Sequence, residues 1–245
     1  MLQTAAATVP CTLPDGTVDD DGNITLAGLA GRASEATLRQ RISEIAARAP
    51  MTWNVATFDG PFCKALDVIR PVARRFGTTA SDVQLQLKSG PFKLHENDSI
   101  VPRFVMPDYT GYAQLSYITS DGTLLHLYPG NSARQVEVAT PNGKRDTFKV
   151  TAGESRLFPA GAVVHVADPE SCHCKPEDIG WQVAPPYGTD MMLITVSSAP
   201  LFAQPRPDDD TAETYLRDLQ AALESAVRRG ARVNARAILV GTEPR

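Results

Sequence analysis

The chain has no long apolar run: none of its 245 residues lies in a stretch approaching the 18 apolar positions that a membrane-spanning helix needs. Neither sign of charge dominates. Lys and Arg number 24 against 28 Asp and Glu, a net charge of −4, which excludes a general nucleic-acid or acidic-membrane partner. The opening MLQTAAATVP lacks the basic start and apolar centre of a signal peptide. The chain is therefore expected to be cytosolic, or to be a soluble piece of a longer exported or anchored protein. No G-x-S-x-G, H-E-x-x-H or Walker sequence occurs, so no catalytic residue and no cofactor are expected from motifs.

What is present is an ordinary globular balance, 42% apolar and 21% charged, punctuated by 17 Gly and 19 Pro. So many turn formers argue against a long-helix bundle and for a β-rich fold.

The first segment reads as a small α+β unit. Residues 14–23 (PDGTVDDDGN) are acidic, Gly-containing turn material, and residues 24–31 (ITLAGLAG) a strand ending in glycine. Ser34 can cap a helix whose apolar face is Leu38, Ile42, Ile45 and Ala46, ended by Pro50. Residues 51–58 (MTWNVATF) give a second strand, with Trp53, Val55 and Thr57 on one side. Residues 60–76 open on Pro61 and repeat Phe62, Leu66 and Ile69 at helical spacing until Pro71 kinks or ends the helix. GTTASD (77–82) is a linker or turn, which divides the chain into residues 1–78 and 79–245.

The texture then changes to short strands. VQLQLKSG, SIVPRFVM, YAQLSYIT, TLLHLYPG, QVEVAT, DTFKVTAG, SRLFPAG and MMLITVSS are separated by turn signals at the spacing of a sandwich or a partly closed barrel. Asp121-Gly122 and Asn142-Gly143 are the strongest hairpin signals, and both fit type I′ turns. Asp210 with Glu213 has the look of a capping box for a helix running to about Arg229, with Gly230 as its terminator. Tyr215, Leu216, Leu219, Leu223, Ala226 and Val227 share its apolar face, and residues 235–243 form a last strand that returns to the sheet.

Four stretches, ENDSIVPRFVMPDYTGYAQLSYITSDGTLLHLYP (96–129), VAPPYGTDMMLITVSSAPLF (183–202), ETYLRDLQAAL (213–223) and ARAILVGTEP (235–244), carry a resemblance. Residues 83–245 resemble the uncharacterised domain at the C-terminal end of many bacterial serine/threonine protein kinases and some caspase-like proteins. PC (10–11), GNITLAGLAG (22–31), WNV (53–55) and GPFCKALDVIRP (60–71) resemble a BON-type module, a bacterial periplasmic unit associated with membrane or envelope binding. Kinase activity does not follow, because the Gly-rich loop, the His-Arg-Asp loop and the Asp-Phe-Gly sequence are all missing. The resemblance implies a BON-like α+β unit followed by a β-sandwich-like domain with a C-terminal helix and strand. It also implies a non-catalytic, extracytoplasmic sensing or protein-binding region of a bacterial envelope or signalling protein. Such a region would recognise a protein partner or small ligand through sandwich loops or an exposed edge, as part of a longer anchored chain or assembly.

The same resemblance implies a Cys11–Cys63 disulfide, which would staple a unit too small to have a thick core. Cys172, His173 and Cys174 lie in a polar loop, where a disulfide, free surface thiols or a metal site with His165 all remain open. A cysteine pair at this place is not a feature of the resembled family. Asp108, Tyr109 and Tyr112 form the richest aromatic loop, a candidate binding loop or ordinary strand-end packing. His126, flanked by leucines, reads by default as a satisfied core or edge histidine. The aspartate runs 19–21 and 208–210 miss calcium-loop spacing and read as turns, so no metal is assigned. Two rival functions stand beside the binding reading: an accessory subunit of a secretion or surface assembly, and a metal-dependent enzyme built around His165, Asp168 and the Cys172–Cys174 loop.

Overall fold

The computed structural model describes residues 8–46, 49–73, 82–88, 93–167, 180–207 and 209–245. Its first sheet has three strands, β1 (Thr12–Val18), β2 (Ile24–Gly31) and β3 (Met51–Phe58). β1 and β2 form an antiparallel hairpin, and β2 and β3 run parallel, Ile24 opposite Met51 through Gly31 opposite Phe58. Parallel neighbours need a crossover, and α1 (Arg32–Ala46) supplies it. α1 buries Leu38 and Ile42 against Leu26 and Ala30. Its sequence-predicted face is narrower than expected, because Ile45 is exposed and the helix starts at Arg32, directly after β2.

Residues 14–18, expected to be turn, are paired strand. β1 is an edge, where Pro14 has no ladder donor to lose. The turn proper is shorter: the Asp19 carboxylate accepts from the backbone N–H groups of Asp21 and Asn23, and Gly22 takes φ +81°. α2 (Cys63–Ile69) is likewise shorter than the predicted 60–76, and the chain leaves it in a turn at Pro71.

The remaining strands are β4 (Gln84–Leu87), β5 (Lys93–His95), β6 (Ser99–Ile100), β7 (Pro102–Val105), β8 (Gly111–Ile118), β9 (Leu124–Tyr128), β10 (Arg134–Ala139), β11 (Arg145–Val150), β12 (Leu157–Phe158), β13 (Val163–Ala167), β14 (Trp181–Gln182), β15 (Gly188–Ser197) and β16 (Val233–Glu243). They make one sheet of order β11-β10-β13-β7-β4, a second of order β12-β8-β15-β16-β5 with β9 beside β8, and the small pair β14-β6. The chain is thus rich in sheet and poor in helix. β13 was not among the predicted strands, although it holds the middle of the five-stranded sheet.

Alternation along the strands explains how the two large sheets meet. Leu85, Phe104, Val136 and Val164 of one share a buried cluster with Leu115, Met192, Ile194 and Val240 of the other. Each such side chain, taken fully out of water, stabilises by about 1.5–3 kcal/mol. The opposite face of the second sheet carries Met191, Leu193, Ala235 and Ala237, which pack under α2 and α3 (Ala212–Arg228) together with Leu66, Ile69, Tyr215, Leu216, Leu219 and Leu223. Val227, predicted on this apolar face, is exposed.

Both predicted hairpin turns occur, but neither is type I′. Only Gly122 and Gly143 take positive φ, each +86°, while Asp121 and Asn142 do not. Thr119 N–H donates to the Thr123 carbonyl and Gly122 N–H to Thr119, and Thr140, Gly143 and Lys144 repeat the pattern. These are three-residue loops closed by a left-handed glycine. The N-cap of α3 also differs from expectation. Thr211, not Asp210, accepts from the Thr214 N–H at 3.1 Å. Its C-terminus is as predicted: Gly230 (φ +78°) donates to Val227 and Ala231 to Ala226, the paired bonds of a Schellman ending.

Candidate functional site

One end of the two-sheet core opens into a cavity of about 340 Å³, walled by Leu125, Leu127, Trp181 and Val183 and by Tyr117, Asp190 and Thr242. β8 and β15 pair Tyr117 with Met192, and β15 and β16 pair Asp190 with Val240, so both polar side chains emerge on the face that otherwise makes the core. Asp190 is 3% exposed. The Ser120 N–H donates to its Oδ1 at 2.7 Å, the Tyr117 hydroxyl to its Oδ2 at 2.7 Å, and the Thr242 hydroxyl reaches Oδ2 at 3.4 Å. Burial pushes the Asp190 carboxyl above the usual range, against the pull of these hydrogen bonds. Burial and the neighbouring carboxylate likewise push the Tyr117 phenol up. The site is thus a mostly apolar pocket with one fixed carboxyl group, the general form of a small-ligand site.

A second polar cluster lies under α3. The Ser116 hydroxyl donates to Tyr215 Oη at 3.0 Å and is 3.5 Å from His126 Nδ1, while His126 Nε2 is 3.3 Å from Asp210 Oδ2. A serine, a histidine and an aspartate in line invite comparison with a hydrolase triad. The arrangement does not suit that chemistry. Ser116 is 1% exposed and its proton is committed to Tyr215. Arg206 neutralises Asp210 directly, at 2.7 Å from Nε and 2.5 Å from Nη2, and also reaches Asp218 at 3.0 Å. Burial lowers the His126 imidazolium's stability more than Asp210 raises it, so its pKa sits below the ordinary histidine value. The cluster is a bolt that ties the Pro-rich crossing and α3 to β8 and β9.

The Cys11 and Cys63 sulfurs lie at disulfide distance, with Cα atoms 4.2 Å apart and a sequence separation of 52. Gly31 makes room for them, since a Cβ there would meet Cys11 Sγ. Asp108 and Tyr109 make contacts separate from those of Tyr112. Arg232 pairs with Asp108 and stacks on the Tyr109 ring at 4.4 Å, and the Tyr109 hydroxyl donates to the Val196 carbonyl at 2.9 Å. Tyr112 instead faces a separate hollow with Gln114, Phe202 and Arg206. His165 lies on β13 opposite Arg103 and Glu137, on a polar ladder across the five-stranded sheet. Cys172, His173, Cys174 and Asp168 lie outside the described residues. Among the described residues, no group of three or more His, Cys, Asp or Glu is placed to hold a metal ion, and no helix is long and apolar enough to cross a membrane.

Sequence reasoning missed Asp190, Ser116 and Arg206. Asp190 is the one charge in GTDMMLITVSS, and its place at the head of a long apolar run is the only sequence signal of its burial.

No protein-family model matches the chain, and no curated protein is similar to it. Among solved structures, the sporulation control protein Spo0M from Bacillus subtilis aligns at 8% identity and a TM-score of 0.24, over 68% of this chain. The alignment spans about half the length of that protein, and a likeness this faint carries no argument.

Proposed function

We propose that the chain is a non-catalytic binding region, the extracytoplasmic sensing or partner-recognising part of a bacterial envelope or signalling protein. The observation that carries this reading is the cleft at the end of the two-sheet core. Its walls are aromatic and aliphatic, and its one carboxyl group is fixed in place by hydrogen bonds from Ser120 and Tyr117. The Cys11–Cys63 pair supports an oxidising compartment for the reading. The resemblance to the kinase-associated C-terminal domain, and of residues 1–78 to a BON-like module, supplies the signalling and envelope context.

Chemical-shift mapping with small aromatic fragments, both neutral and charged, tests the binding claim. Shifts clustered on the amides of Leu125, Trp181 and Asp190 are expected, and a scattered or empty map overturns it. Alkylation of protein recovered without reductant tests the compartment claim. Cys11 and Cys63 should stay unmodified and linked, and finding them alkylated as free thiols overturns it.

A further inference from the structure

We propose that the cleft takes an organic ammonium ion, a protonated amine on a small aromatic or aliphatic body, with its charge on Asp190 and its body against Trp181 and Leu127. The proposal rests on reading this cavity as a binding site and adds the chemistry of its ligand.

Two deeply buried carboxylates among the described residues are treated differently. Asp210, with a side chain 1% exposed, is given an internal cation, Arg206, in direct contact. Asp190, almost as buried, receives only neutral donors: an amide N–H, a phenol and a threonine hydroxyl. Among the described residues no Lys or Arg pairs with it, and the charged neighbour acting on it is another carboxylate, Asp121. Leaving an ionised carboxylate inside a protein without a counter-charge costs several kcal/mol. That cost falls when a cation arrives from outside, and Asp190 is part of the cavity wall.

A carboxylate offers about four lone-pair directions; Ser120 and Tyr117 fill two, and the Thr242 hydroxyl, whose one proton also faces the Gly188 carbonyl at 3.3 Å, fills at most a third, which leaves at least one for a ligand N–H. The surrounding groups suit the rest of such a molecule. Trp181 and Tyr117 give the cavity aromatic surface, which suits a cation as well as apolar groups, and the Arg134 guanidinium already lies over the Trp181 ring, 5.3 Å from its centroid. Leu125, Leu127 and Val183 offer only apolar contact. A volume of about 340 Å³ lies at the small end of ligand sites. An anion would meet Asp190 and Asp121 together and is excluded.

The probes are phenethylammonium, 2-phenylethanol and phenylacetate, which share a ring and differ in charge. Trp181 is one of two tryptophans, so Trp53→Phe leaves it as the sole indole reporter. Titration should give a saturable Trp181 fluorescence change with phenethylammonium, at least about tenfold weaker binding of the alcohol, and none of phenylacetate. Asp190→Asn should bring the amine and the alcohol to within about twofold of each other. Leu125→Arg, at a position 44% exposed, puts a positive charge at the mouth without disturbing the core, and should abolish the amine preference even if Asp190→Asn fails to fold. Equal binding of amine and alcohol to the parent overturns the ammonium assignment and leaves the cleft as a binding site. Binding of none of the three, together with an empty fragment map, overturns both.

Discussion

Replacing Asp210 with Ala removes the acceptor that holds Arg206 and His126 together beneath α3. The wild-type carboxylate has a side chain 1% exposed and contacts Arg206 at 2.5 and 2.7 Å, with His126 at 3.3 Å. Breaking a buried ion pair from one side typically costs 3–5 kcal/mol, because the remaining charge stays behind without its partner. Here the abandoned cation has a second acceptor, Asp218, at 3.0 Å and partly exposed. The expected cost is therefore at the low end, about 3 kcal/mol. Asp210→Asn keeps an acceptor and should cost about half as much. An exposed pair elsewhere gives the internal comparison. Arg32 and Asp59 sit 2.7 Å apart with side chains 64% and 70% exposed, and Asp59→Ala should cost less than about 1 kcal/mol. Urea unfolding followed by circular dichroism gives each value. A double-mutant cycle of Asp210→Ala with Arg206→Met should return a coupling of at least about 1.5 kcal/mol. A cost for Asp210→Ala no larger than that for Asp59→Ala, or a coupling near zero, refutes the reasoning.

The other expectations are smaller in scope. Cys11→Ser with Cys63→Ser should destabilise by about 4 kcal/mol, the chain-entropy value for a loop of this length, read as a fall in the urea midpoint. Unfolded His126 titrates near its ordinary value and the folded ring below it, so the unfolded chain binds the extra proton. Its contribution to stability is present above about pH 6.5 and is lost as pH falls through that range, and His126→Asn should flatten the slope between pH 7.5 and 5.5. Asp190 has the opposite sign, since its raised pKa opposes folding at neutral pH, and Asp190→Asn should leave the midpoint at pH 7 unchanged or higher. Gly143→Ala meets nothing within 4 Å and should cost only about 1–2 kcal/mol for its positive φ, whereas at Gly28 a Cβ would lie 2.2 Å from the Leu13 carbonyl and Gly28→Ala should also loosen the β1–β2 hairpin, seen as faster amide exchange there.

The sequence was legible where one local rule decided the outcome. Strands β2, β3, β8 and β15 follow from apolar pattern, and the end of α3 from Gly230. It misled where tertiary context outranked a local signal. Residues 14–18 contain Pro, Asp and Gly and read as turn, yet an edge strand can absorb all three. Asp210 sits where an N-cap belongs, but a buried arginine and histidine compete for its carboxylate, and the neighbouring Thr211 does the capping. Asp-Gly and Asn-Gly marked both hairpins correctly, while loop length, which the dipeptide does not encode, set the turn type. The candidate site was the least legible part. Its residues come from β8, β9, β14, β15 and β16, and the depth of Asp190 depends on strand register across three of them.

β16 lies between β15 and the edge strand β5, and it pairs antiparallel with the first and parallel with the second. On the ribosome this strand emerges after everything it must join. Until then β15 has an open flank, Asp190 lacks the Thr242 hydroxyl, and the floor under α2 and α3 lacks Ala235 and Ala237. The three-stranded sheet needs no such wait for its strand pairing, because its strands all lie within residues 12–58. Synthesis therefore passes through a stage in which the first sheet is formed and the second is still an unfinished edge, the species most open to pairing with another chain.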